Sequence, residues 1–97
     1  MSKNKRVVDK ELCDRTKHTP CAVCGQVPAG DVHHVTTRGA GGGDTKENLM
    51  PLCRAHHTEI HAIGYGKALT QWPRLHGWLE RMGRTDILDR VKFKGTK

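Results

Sequence analysis

ENLMPLCRAHHTEIH, residues 47–61, brings a short apolar run, a cysteine and three histidines into one segment. Two stretches upstream belong with it: CAVC at residues 21–24 and DVHHV at residues 31–35. Together they hold five of the chain's seven histidines and three of its four cysteines. These side chains sort into two sets with metal-ligand spacing, and one set leaves a spare imidazole beside it.

The first set is Cys21, Cys24, Cys53 and His56. Cys21 and Cys24 sit in a turn-rich segment (TPCAVCGQVPAG, residues 19–30) that predicts a knuckle. Cys53 and His56 repeat the spacing where a strand should give way to a helix. Thiolate and imidazole donors favour zinc over magnesium or calcium, and a complete set of four is closed and structural. In small peptides such an ion contributes about 10–16 kcal/mol apparent at neutral pH, enough to decide folding. Cys13 has no partner pattern and reads as spare.

The second set follows from helix geometry. Each helical residue turns about 100°, so His56 and His57 cannot face one ion. His57 and His61, four apart, share a face. Either His33 or His34 can complete a three-histidine site with open positions for water and a phosphate oxygen, as a hydrolytic site requires. The other stays metal-free as a general base, largely neutral at pH 7 given an ordinary pKa of about 6.5. Neighbours on a regular strand point to opposite faces. Both reach one site only where the strand twists or ends, which the following glycine-rich loop allows.

Outward from this core, residues 31–35 and 48–52 predict two short strands, with Pro51 confining the second to an edge or a strand end. Residues 36–47 (TTRGAGGGDTKE) predict a loop. Residues 54–63 predict a helix stopped by Gly64. Leu69, Trp72, Leu75, Trp78, Leu79 and Met82 describe one helical face, broken after Trp72 by Pro73. Thr85 can cap a last helix carrying Ile87, Leu88 and Val91. Both tryptophans read as core. The expected organisation is a basic arm over residues 1–18, one domain over 19–91 (motif core 21–61, covering helices 67–91) and a basic tail over 92–97.

The chain has 97 residues, 35% of them hydrophobic and 4% aromatic, so it buries a small core and needs a staple. Its 17 Lys and Arg against 10 acidic residues give a formal charge of +7, pointing to a polyanion partner, with nucleic acid ahead of membrane. No apolar run approaches the ~20 residues that span a bilayer. The N-terminus (MSKNKRVVDK) lacks an apolar signal core, so a cytoplasmic chain is expected.

The arrangement resembles the HNH endonuclease family, whose fold is the ββα-metal or His-Me finger. The likeness covers residues 21–61. The family's His, Asn and His fall on His34, Asn48 and His57. The CxxC and CxxH pairs match its zinc-stapled branch, and the HH pair with HxxxH looks like the colicin-type DNases. The resemblance implies an α+β class: a small ββα-metal core stapled by Cys3His zinc, with C-terminal covering helices. It implies that His34 deprotonates the attacking water, that His33, His57 and His61 hold a catalytic metal, and that Asn48 braces the loop between the strands. Many family members carry an acidic residue where this chain has His33. Three imidazoles suit zinc, nickel, cobalt or manganese better than magnesium. Arg38 and Lys46 are the candidate DNA contacts.

The function so implied is metal-dependent hydrolysis of DNA phosphodiester bonds, with little sequence preference and strong salt dependence. Small HNH proteins often occur in phages, which would place this one in the cytoplasm of a bacterial host. Two other readings compete. A non-catalytic zinc-stapled nucleic-acid-binding module explains the charge and the Cys3His set but leaves His33, His34, His57 and His61 idle, and it should hold one ion rather than two. An accessory subunit of a phage packaging or recombination machine would cleave only with its partner.

Overall fold

The computed structural model describes residues 7–95. Lys3, Lys5 and Arg6 of the expected arm, and residues 96–97 of the expected tail, lie outside them. Two antiparallel strands, β1 (Asp31–His34) and β2 (Leu49–Leu52), are followed by α2 (Arg54–Gln71), α3 (Pro73–Arg81) and α4 (Thr85–Gly95), and preceded by α1 (Lys10–Lys17). The result is a small α+β fold, as expected.

The register pairs Asp31 with Leu52, Val32 with Pro51, His33 with Met50 and His34 with Leu49. A two-stranded sheet is all edge, so Pro51, which has no N–H to give, is tolerated. Its carbonyl accepts from Ala22 N at 2.8 Å, fastening the cysteine knuckle to β2. Every residue of β2 is buried, whereas β1 buries only His33. β2 is therefore the spine of the core, and β1 carries polar side chains along its rim.

Above the sheet, α2 starts at Cys53 and kinks at Gly64, whose backbone (φ 78°, ψ 171°) leaves the helical region. Only glycine adopts that conformation cheaply, so the expected stop is a break between two shorter helices. Trp72 is extended and Pro73 opens α3, as the sequence predicts. The apolar face of α3 buries Leu75, Trp78 and Leu79 with Ile87 of α4 over Met50 and Leu52. Each such side chain contributes roughly 1.5–3 kcal/mol on burial.

Two expectations need correction. Lys10–Lys17 is a helix packed on both strands, not part of an arm. Asp9 caps it, accepting from Leu12 N at 3.0 Å. It buries no residue fully, so the sequence lacks the apolar stripe that would announce it. At the other end, α4 runs to Gly95, so most of the expected tail is helix. Among the described residues, no helix is long and apolar enough to cross a membrane.

Candidate metal centres and the basic cleft

The knuckle and the start of α2 bring Cys21, Cys24, Cys53 and His56 together, with one donor atom of each within 4.8 Å of the others. Cys24 Sγ lies 3.9 Å from Cys53 Sγ, and His56 Nδ1 lies 3.2 Å from Cys53 Sγ and 4.0 Å from Cys21 Sγ. Tetrahedral zinc, with bonds of about 2.3 Å to sulfur and 2.0–2.1 Å to nitrogen, spaces its donors roughly 3.3–3.8 Å apart. The observed spacings bracket that range, so the cluster is compatible with a zinc site. Burial pushes the Cys21 thiol up, but N–H groups at Cys24, Cys53 and Val23 outweigh it and lower it to about 7. Trp72 sets its ring edge-on to His56, centroids 5.0 Å apart, and shields that side.

One residue along, α2 turns His57 away from this cluster toward β1. His33, His57 and His61 form the second set, again with donor atoms within 4.8 Å. His57 Nε2 and His61 Nε2 stand 3.3 Å apart, the spacing of two imidazoles on one tetrahedral ion. The other nitrogen of His57, Nδ1, donates to Asp31 Oδ2 at 3.0 Å. A carboxylate behind a ligating imidazole fixes its tautomer and raises its basicity. The His57 hydrogen bond, aided by Arg54 at 3.0 Å, holds the Asp31 carboxyl below the usual range. His33 is buried, 3.1 Å from the Tyr65 hydroxyl. Burial, then the rings of His57, His61 and His34, push His33 down to about 4, so it is neutral at pH 7 and ready to bind a cation. Burial also pushes the Tyr65 phenol up to about 12, leaving it a neutral hydroxyl.

The strand alternation falls as the sequence warned. His33 turns under α2, and His34 turns toward the glycine loop, where Nε2 donates to Asp44 Oδ1 at 2.8 Å. His34 nonetheless lines one cleft with His57 and His61. That cleft, about 480 Å³, also carries Lys17, Arg38 and Arg54. Of the two candidate DNA contacts, Arg38 lines this cleft, and Lys46 lines a different groove, of about 910 Å³, with Arg15, Arg74 and Arg81.

Asn48 is buried and spans the loop. Its Oδ1 accepts from Thr36 N at 2.7 Å, and its Nδ2 donates to Thr36 O at 3.0 Å and Gly43 O at 2.9 Å. The bracing expected of Asn48 is present. The backbone at Gly42 passes so close to Thr36 O that a Cβ there would collide with it, which is why glycine stands at that turn. Arg84, from the α3–α4 turn, adds a donor to Asn48 Oδ1 at 3.0 Å and another to Thr36 Oγ1 at 2.9 Å. Sequence reading missed Asp31, Asp44, Tyr65 and Arg84. Asp31 could have been found, because it sits two residues before His33 on one face of the strand. The other three reach their partners across the fold and left no local trace.

The family described as "Protein of unknown function (DUF968)" matches residues 1–85. Among curated proteins, a 64-residue segment is 42% identical to the uncharacterized protein YdfU of Escherichia coli (strain K12). The matched segment is 63% of this chain but 18% of that relative, so the chain spans a small part of the length of YdfU. No solved structure matches the chain.

Proposed function

The chain belongs to the DUF968 family, and from the geometry of its histidines we propose that this member is a metal-dependent endonuclease of the HNH type, acting on DNA. The observation that carries the reading is the convergence of His33, His57 and His61 from β1 and α2, the last two on the wall of a cleft that also presents His34 and three cations. The ββα order of β1, β2 and α2 and the brace at Asn48 support it.

In this reading Cys21, Cys24, Cys53 and His56 hold a structural zinc, and the three imidazoles hold a divalent ion. Such an ion would polarise a phosphodiester and stabilise charge on the leaving oxygen. Arg38, Arg54 and Lys17 bind flanking phosphates, which orients the backbone without reading bases. His34 takes the proton of the attacking water at Nδ1, because Nε2 is committed to Asp44. Asp44 stabilises the imidazolium that results, as a carboxylate behind a catalytic histidine does.

The test is plasmid cleavage by metal-stripped protein, titrated with zinc, nickel, cobalt, manganese and magnesium. Wild type should cut with at least one ion. His34→Ala should lose about 10²–10⁴-fold in rate while still binding DNA by fluorescence anisotropy. Undiminished cutting by that variant, with contaminating nuclease excluded, would reject the base assignment. A wild-type chain that binds DNA but cuts with none of the ions would favour a non-catalytic binding module.

A further inference from the structure

Cys13, which the sequence leaves spare, comes to rest beside the proposed base. One donor atom each of Cys13, His34 and Asp44 lies within 4.8 Å of the other two. The three come from α1, β1 and the glycine loop, so the packing of α1 onto the sheet creates the juxtaposition. Asp44 is buried and already oriented: Oδ2 accepts from Asp9 N at 2.9 Å, and Oδ1 faces His34 Nε2 at 2.8 Å. Cys13 and His34 both line the 480 Å³ cleft, which gives an ion a route in.

We propose that Cys13, His34 and Asp44 form a third metal site, suited to zinc-like ions, and that filling it withdraws His34 from proton transfer. A thiolate, an imidazole and a carboxylate are a zinc donor set, and three protein ligands leave the fourth position to water. Without an ion the thiol is protonated: burial, then the charge and hydrogen bond of Asp44, push Cys13 up. Binding releases the thiol proton to solvent and moves the single imidazole proton of His34 from Nε2, where it faces Asp44, to Nδ1. Nε2 then serves the ion, and the protonated Nδ1 has no lone pair left to accept a proton from water. Excess zinc would therefore switch off a chain that needs a divalent ion to work. The inhibitory half rests on the nuclease reading, and the binding half does not.

Cobalt separates the two. With the Cys3His cluster filled by one equivalent of zinc, Cys13 is the remaining thiol, since the chain has four cysteines. Added Co2+ should then give a near-ultraviolet thiolate-to-cobalt absorption in wild type that Cys13→Ser lacks. Native mass spectrometry should count three zinc ions in wild type and two in Cys13→Ser. As a check that needs no variant, zinc should protect Cys13 of the wild-type chain from alkylation. A third equivalent of zinc should slow DNA cleavage by roughly 10²-fold or more in wild type, with Cys13→Ser cutting normally and resisting the inhibition. No thiolate band, no third ion and no protection would overturn the site. A band without inhibition would overturn the switch. A chain that never cuts would overturn the nuclease reading, while the band and the ion count still decide the site.

Discussion

In the proposed histidine metal site, Asp31 is the residue that would tune the ligands. It accepts from His57 Nδ1 and pairs with Arg54, and it is itself outside the ligand set. Removing such a carboxylate behind a metal-bound imidazole typically weakens metal affinity 10–100-fold. Asp31→Ala should therefore bind zinc or cobalt at the histidine site about that much more weakly by calorimetry, with the Cys3His cluster unaffected. Equal affinity would mean that His57 needs no orienting partner. At this scale the sequence was legible wherever chemistry repeats at short range. CxxC, CxxH and HxxxH fix their partners by spacing alone, and the structure gathers all six of those residues into two clusters, the second completed by His33. Asp44 was illegible, because nothing local distinguishes a loop aspartate facing water from one aimed at His34. Cys13, for the same reason, carries no sign in the sequence of its nearness to His34 and Asp44.

The loop between β1 and β2 is held at two levels. Asn48 stitches its two ends from within, and Arg84 reaches in from the α3–α4 turn. Hydrogen bonds to a charged group are worth about 1.5–3 kcal/mol each way they are lost in a buried setting. Arg84→Ala leaves Asn48 Oδ1 still paired with Thr36 N, so a loss of roughly 1–3 kcal/mol is expected, read as a Tm lower by several degrees. Asn48→Ala strips the loop of its internal partners and should cost more than Arg84→Ala in the same assay. A reversed order would place the main restraint in the guanidinium. Strands and helices after the knuckle were readable because their periods are clear. Helix α1 was not, since Leu12 and Cys13 are its only apolar residues and an eight-residue helix gains its stability from the sheet beneath it.

At the scale of the molecule, the core is small and its most buried members gather around β2 and α3. The cysteine knuckle contributes Cys21, Ala22 and Val23 to that same core. A chain of this size whose core includes the walls of a zinc-compatible Cys3His cluster is expected to depend on such an ion for its fold. Chelation at neutral pH should abolish the cooperative thermal transition followed by circular dichroism, and Cys53→Ser should fold poorly even with zinc present. A chelated chain that melts as sharply as the untreated one would show that apolar packing alone suffices.

His56 and His57 are consecutive on the first turn of α2 and serve opposite clusters. In the proposed reading that adjacency couples the two centres. An ion held by His56 would also brace the turn that points His57 toward His33 and His61, so the closed cluster is expected to load before the open one. A chain supplied with a single equivalent of zinc should then be folded but inert until a second cation arrives.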